Sequence, residues 1–240
     1  LMPCVPLRGL SIFPRTILHF DIGREKSIKA LEAAMNGDKL LFVTSQKDEN
    51  ILIPTPDDYY QVGTVVKVKQ MLKIQGDAVR VLVDGQYRAT LAEIVTEEPY
   101  IQAFVEEADI IPADNSELEV QAMMRSVLYA FDEYIELNPA VKEEVYDLIS
   151  SIEEPDVFAD TIAMQMDIKI SAKQELLEAF DVKERLEILN RIILEENQIL
   201  RLERDISEKV QEAVKQNQKE YILREQMKAI QDELGYGEEA

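Results

Sequence analysis

A long stretch without glycine or proline constrains the fold of this chain more than any other feature. From Asp156 to Leu234 neither residue occurs, although the 240 residues include 8 glycines and 9 prolines. Sheets need the tight turns that these residues favour, whereas helix interiors exclude them. Six glycines fall between Gly9 and Gly85, so turns concentrate in the first third of the chain. The sequence therefore predicts strands first and helices afterwards.

The first 110 residues carry the pattern of a small sheet with one helix. Leu18, Phe20 and Ile22 alternate with polar neighbours, as in a half-buried strand. The following Arg24–Asn36 has apolar residues at helical spacing, and Gly37 is the expected end of that helix. About six strands and one helix result, which predicts a small, curled antiparallel sheet or partial barrel.

Two apolar runs on either side of Gln75-Gly76 predict a β-hairpin. Residues 63–73 and 78–87 flank this turn signal, so we expect a two-residue turn in which the numbers of facing residues add to 151. Because side chains alternate between the two faces of a strand, this register places Met71 and Leu82 together on the outer face.

Helix-start signals recur between residues 111 and 181 and predict four short helices there. The signals are Ser116 with Glu119, Asn138-Pro139, Pro155-Asp156, and Ser171 with Gln174. A further start, Asp181 with Glu184, opens a helix that nothing interrupts before Gly235. At 1.5 Å per residue that helix is roughly 78 Å long, so we expect it to project or to couple to a partner.

The predicted organisation has four parts. They are a β-rich domain over residues 1–110, a helical bundle over 111–181, a long projecting helix over 182–234 and a linker over 235–240. The formal net charge is −21, and residues 111–182 hold 4 basic and 17 acidic residues. Such a surface repels phosphate backbones, which disfavours nucleic acid as a partner.

Neither a membrane span nor an exported protein is predicted. The sequence has no apolar run near the roughly 20 residues that a membrane-spanning helix needs. Its start also lacks the charged and apolar regions of a signal peptide. We therefore expect a cytoplasmic protein without membrane contact.

Most familiar catalytic chemistry is excluded by the residues themselves. Cys4 is the only cysteine and His19 the only histidine, so disulfides, zinc sites with several cysteines and HExxH metal sites cannot form within one chain. The dipeptide Gly-Lys never occurs, which excludes a phosphate-binding P-loop. Adjacent acidic residues are best interpreted as solvated surface. We predict no catalytic residue, no metal site and no cofactor site.

Two features of the predicted hairpin are candidate binding surfaces. Met71 and Leu82, surrounded by charge, would suit weak contact with apolar peptide, although cover by a neighbouring segment or harmless exposure would explain them too. The other feature is a row of basic residues that could hold a phosphate chain, with ordinary solvated lysines as the alternative. These basic residues are Lys67, Lys69, Lys73 and Arg80.

Three stretches of the sequence resemble the amino-terminal portion of bacterial Lon proteases. The first contains Pro6-Leu7-Arg8, Phe13-Pro14 and Asp21-Ile22-Gly23-Arg24; the second runs from Gly63 to Gly85; the third, the most specific, runs from Gln218 to Gly235. Together they cover both ends and the middle of the chain. The resemblance implies an α+β fold with a small PUA-like β-domain, a helical bundle and one very long helix.

In that family the long helix leads into an AAA+ ATPase module and a serine protease domain with a Ser-Lys dyad. Neither segment is present in this sequence, so the resemblance implies a noncatalytic fragment, with ATP and Mg²⁺ bound elsewhere. Its implied partners are unfolded, damaged or tagged protein substrates and further copies of itself in a homohexamer.

Candidate contact residues follow from the predicted facing of side chains. For substrate peptide they are Phe13, His19, Met71 and Leu82. For coupling along the long helix they are Tyr221, Arg224, Met227 and Ile230. The alternatives are a nucleic-acid-binding module that uses the basic row and a purely structural oligomerisation element that uses the long helix.

Overall fold

The computed structural model describes residues 1–142 and 144–235. The chain divides into two compact units, Leu1–Leu194 and Glu195–Ala240. The predicted boundary near residue 110 therefore falls inside the first unit. Of the predicted linker, only Gly235 lies within the described residues.

Six strands form one mixed sheet. They are β1 (Met2–Leu7), β2 (Ile17–Ile22), β3 (Leu40–Ser45), β4 (Val62–Lys73), β5 (Val79–Thr96) and β6 (Gln102–Glu107). Their order is β2-β5-β4-β3-β1-β6, and β6 also pairs with β5. Five strands thus close into a ring, and β2 adds to the first half of β5.

Two details of the sheet differ from the prediction. β1 and β3 are parallel, so the sheet is not wholly antiparallel. The chain passes through β2 and helix α1 (Glu25–Asn36) between them, and such a crossover returns it in the same direction. β5 is also longer than the predicted hairpin run over residues 78–87, because its second half continues into the pairing with β6.

The β4–β5 hairpin has a longer turn than predicted. Lys73 pairs with Val79, so facing numbers add to 152 beside the turn rather than 151. Beyond an irregularity at Lys69, Val68 faces Val83 in the predicted register. This β-bulge adds one residue to the strand. The residues between the bulge and the turn therefore point to the face opposite to the one that a regular strand would give them.

Two apolar clusters fill the sheet region. The larger one lies between α1 and the strands and includes Leu31 and Val81, both fully buried. The smaller one includes Phe42 and Tyr59. Burying each such side chain contributes about 1.5–3 kcal/mol, and helix α1 thereby covers the inner side of the sheet.

Between the sheet and the long helix, the described residues form four helices, as predicted. They are α2 (Leu118–Leu137), α3 (Glu144–Ser150), α4 (Pro155–Gln165) and α5 (Ile170–Glu178). The predicted caps Ser116 and Ser171 are not used, because the N-cap positions are Glu117 and Lys169. Ahead of α2, the Asp114 carboxylate instead accepts a hydrogen bond from the Ser116 N–H (2.8 Å).

Helix α6 (Val182–Glu233) is a single element of 52 residues. Asp181 caps its start, since its carboxylate accepts a hydrogen bond from the Lys183 N–H (2.9 Å). At 1.5 Å per residue the helix measures roughly 78 Å. From Arg201 onward every described residue is exposed to solvent.

Candidate functional site

The outer face of β2, β5 and β4 carries a group of accessible side chains. Ile17 and Leu72 are 67% and 51% exposed. Leu82 is half-buried, lies opposite His19 on β2 and is the diagonal neighbour of Leu72 on β4. We call Ile17, His19, Leu72 and Leu82 the outer patch. Apolar side chains grouped on a face among charged residues are typical of surfaces that contact other proteins.

Met71 does not lie on the outer face, so that prediction is wrong. Because the bulge at Lys69 reverses the alternation, Met71 pairs with Val81 and packs against the larger core cluster. Leu72 takes the outward position instead. The error arose because strict alternation assumes a regular strand, and no residue in this run marks a bulge.

Phe13 is likewise enclosed rather than available at the surface. Its side chain is fully buried, and the Arg88 guanidinium lies 5.7 Å from the centre of its ring. Of the four residues predicted to contact peptide, the structure brings His19 and Leu82 together on the outer patch. Their contact with a peptide stays a prediction.

The predicted basic row is not a continuous surface. The Lys69 ammonium pairs with Asp84 (3.1 Å), and Arg80 donates two hydrogen bonds to the Asp21 carboxylate (2.7 and 2.9 Å). These hydrogen bonds hold the pKa of Asp21 below its usual range. Lys73 pairs with Val79 and so faces the opposite side from Lys67. The nucleic-acid-binding alternative required a continuous row of free basic side chains, and the structure does not provide that row.

The predicted coupling residues are all exposed on α6. They are Tyr221, Arg224, Met227 and Ile230. Because they lie three residues apart, each is rotated by about 60° from the one before, and they do not share one helix face. Their role in coupling stays a prediction.

A separate apolar stripe precedes them on α6. Spacings of three and four residues keep its members on one side of the helix, and each is about half exposed or more. They are Ile199, Leu202, Ile206, Val210 and Val214.

A buried group of charges, absent from the predictions, ties the sheet to the helices within Leu1–Leu194. Arg88 of β5 donates hydrogen bonds to both carboxylate oxygens of Asp160 on α4 (2.7 and 2.6 Å). Arg185 of α6 donates to the same carboxylate (3.2 Å) and to the Ala179 carbonyl oxygen (2.9 Å). We call Arg88, Asp160 and Arg185 the buried ion cluster.

The buried ion cluster is almost free of solvent, since its three residues are 4%, 3% and 1% exposed. Burial lowers the pKa of the Arg185 guanidinium to about 10, against the raising effect of the Asp160 charge. One sequence signal could have revealed it. Arg185 shares a helix face with the buried Val182 and Leu189, and a charge on an apolar stripe needs a buried partner.

Two kinds of feature are absent from the described residues. No group of three or more His, Cys, Asp or Glu side chains is placed to hold a metal ion in residues 1–142 and 144–235. Over the same ranges, no helix has the length and apolar character needed to cross a membrane.

The chain is similar to known proteins along most of its length. Residues 2–195 match the family described as the ATP-dependent protease La (LON) substrate-binding domain. A Lon protease of Clostridioides difficile is 48% identical over 99% of this chain and 31% of its own length. A Lon protease of Bacillus thuringiensis is 45% identical over 98% of this chain and 29% of its own length. The chain thus spans about a third of the length of these relatives.

One solved structure has the same fold. The N-terminal domain of a Mycobacterium avium complex Lon protease superposes with a TM-score of 0.65, covering 80% of this chain and 97% of that one. At 20% sequence identity, this likeness concerns the fold alone.

Proposed function

Because the chain belongs to the family of Lon substrate-binding domains, we propose that it binds unfolded, damaged or tagged proteins in the cytoplasm. In this proposal they are passed on for ATP-dependent proteolysis by segments outside these 240 residues. Nucleotide, Mg²⁺ and the serine protease reaction belong to those segments, so this region is not itself an enzyme. The observation that carries the proposal is the family match over residues 2–195.

The outer patch supports binding of this kind. Ile17 and Leu72 are more than half exposed, while Leu82 and His19 complete a small apolar area on an otherwise charged sheet face. Unfolded proteins differ from folded ones in exposing apolar side chains. A small apolar patch without a deep pocket therefore favours chains that expose apolar side chains over folded proteins, and it does not require one particular sequence.

Weak contact would be sufficient if several copies act together. When one unfolded chain touches the same patch on neighbouring subunits, the second contact is intramolecular and overall affinity rises by orders of magnitude. The apolar stripe of α6 favours such an assembly, because its side chains are exposed on one side of the helix. We therefore include support of a homohexamer in the proposal.

The binding part is tested with an unfolded acidic protein, for which reduced and carboxymethylated α-lactalbumin is suitable because bulk charge attraction to this chain is small. The double variant Leu72→Asp, Leu82→Asp should bind on the order of tenfold more weakly, since charge replaces apolar contact on a solvent-facing surface. A matched control is Leu118→Asp, Tyr129→Asp, because both side chains are more than 80% exposed on α2. Equal affinities of the two double variants would refute the outer patch.

The assembly part is tested by sedimentation. Leu202→Glu with Ile206→Glu places two like charges on the stripe of α6 and should lower the mass of any self-associated species. A control pair, Glu203→Gln with Glu208→Gln, changes exposed polar positions of the same helix. An assembly that persists in the first variant would contradict association through the stripe.

A further inference from the structure

Strand β2 has one free edge. Within the described residues it pairs only with β5. The Gly85 N–H donates to the Thr16 carbonyl oxygen (2.9 Å), and an antiparallel register continues from there. In such a ladder alternate residues bond to the neighbouring strand, and the residues between them point their backbone groups away from it. Ile17, His19 and Asp21 therefore present their N–H and C=O groups to the free edge.

The ladder of β2 reaches β5 on its other side, and among the described residues no backbone hydrogen bond of a turn, loop or cap uses these groups. An edge with unpaired N–H and C=O groups is a template for an added strand. Strand addition uses hydrogen bonds to the backbone of the partner, so binding is largely independent of the partner's sequence.

A groove with a volume of about 300 Å³ adjoins the second half of this edge. Its lining includes Phe20 and Ile22 of β2 together with Leu7 and Leu10. Leu10 and Phe20 are partly buried and pack against the larger core cluster, so the part of the groove that they line, which we call its floor, is apolar. A strand added to β2 would direct alternate side chains to this floor and the others towards Ile17 of the outer patch.

The charge of the groove is positive on a strongly acidic chain. Arg8 and Arg24 line it, and Arg24 donates a hydrogen bond to the Gln46 amide oxygen (2.9 Å). The carboxylate at the groove, that of Asp21, is already neutralised by its two hydrogen bonds from Arg80. Burial is the main cause that lowers the pKa of Arg24; Tyr59 opposes this effect and the charge of Arg8 adds to it. Two guanidinium groups that line one groove favour an anion beside them.

We propose that the free edge of β2 receives an extended apolar segment of an unfolded protein as an added strand, with a carboxylate beside that segment bound by Arg8 and Arg24. This inference rests on the proposed function and specifies its substrate class. Folded proteins hide both features, because their apolar strands are buried and their strand backbones are already hydrogen-bonded. Unfolding exposes apolar side chains and unpaired backbone groups of the same segment together.

The first test uses a nine-residue probe peptide with a run of Val, Ile and Phe followed by one Glu, capped at both ends. One derivative carries N-methyl groups on alternate backbone amides along one edge of the extended peptide, and a second derivative carries them along both edges. Because the peptide can turn over and pair through its other edge, the first derivative should resemble the parent peptide and the second should bind about tenfold more weakly. Equal affinities of the second derivative and the parent peptide, measured by fluorescence anisotropy, would overturn strand addition.

The second test changes the protein. His19→Pro removes an N–H that points to the free edge, and proline is tolerated at such positions of edge strands. It should weaken probe binding about tenfold and leave the melting temperature nearly unchanged. Leu18→Pro, which removes an N–H bonded to β5, should instead lower the melting temperature. If His19→Pro binds the probe as well as the parent chain does, the free edge is not the site.

The third test addresses charge. Arg8→Glu should weaken binding of the Glu peptide about tenfold and change binding of the matching Gln peptide much less. An equal effect on both peptides would refute recognition of the carboxylate. If neither His19→Pro nor Arg8→Glu affects the binding of unfolded α-lactalbumin, the proposed function still holds and only this inference is refuted. Failure to bind that protein at all would sink the proposed function.

Discussion

Replacing Asp160 tests whether the buried ion cluster holds the sheet on the helices. The carboxylate accepts three hydrogen bonds, at 2.6, 2.7 and 3.2 Å, from two arginines. In Asp160→Ala both guanidinium groups stay buried without an anion, and removal of one partner from a buried ion pair costs about 3–5 kcal/mol. That loss is a large part of the roughly 5–15 kcal/mol by which domains are stable.

The measurements are urea unfolding, which gives the free energy of unfolding, and thermal unfolding, which gives the melting temperature; both are followed by tyrosine fluorescence and circular dichroism. For a region of this size, each kcal/mol corresponds to a shift of about 2–4 °C in melting temperature, so we expect a decrease of roughly 6–20 °C. Asp160→Asn keeps the shape of the side chain and removes its charge. It should therefore separate the electrostatic loss from the loss of packing.

A matched control lies one helical turn earlier on α4. Asp156 pairs with Arg15 at 2.6 Å, but the two side chains are 30% and 55% exposed. A partly solvated pair of this kind contributes about 0–1 kcal/mol, so Asp156→Ala should have a small effect. If Asp156→Ala and Asp160→Ala destabilise the protein equally, burial of the cluster does not govern its contribution and the reasoning is refuted.

Three other perturbations have defined outcomes. Gly85→Ala should destabilise the protein by about 1–3 kcal/mol in urea unfolding, because a Cβ there would lie 2.4 Å from the Phe13 carbonyl oxygen. Met71→Asp should lower the melting temperature, since it buries a charge against the core, whereas an aspartate at the outward Leu72 should not. Burial raises the pKa of the Cys4 thiol from 9.0 to about 12 and that of the Tyr59 hydroxyl from 10.0 to about 12. The unfolded chain therefore loses these protons first, so the free energy of unfolding should fall by about 1.4 kcal/mol per pH unit for each group, above pH 9 for Cys4 and above pH 10 for Tyr59. Cys4→Ala should reduce that slope, and an unchanged slope would contradict the assignment to Cys4.

Local sequence signals were reliable where one residue type or one period sets the structure. The stretch without Gly or Pro, opened by Asp181, became a single helix of 52 residues. Gly37 ends α1, and alternation placed Ile22 inward and His19 outward on β2. These features depend on backbone conformation and on burial of one face, which neighbouring residues determine among themselves.

The tertiary structure alone decided the features that depend on residues far apart in the chain. The bulge at Lys69 exchanged the roles of Met71 and Leu72, because pairing along the whole of β5 sets the register, not the turn alone. Closure of the strand ring through β5 and β6 left β2 as the free edge. Residues 88, 160 and 185 come together only when sheet and helices pack. The neighbouring sequence of each charged residue does not indicate its partner. Long-range packing brings these residues together and excludes the water that would otherwise solvate them.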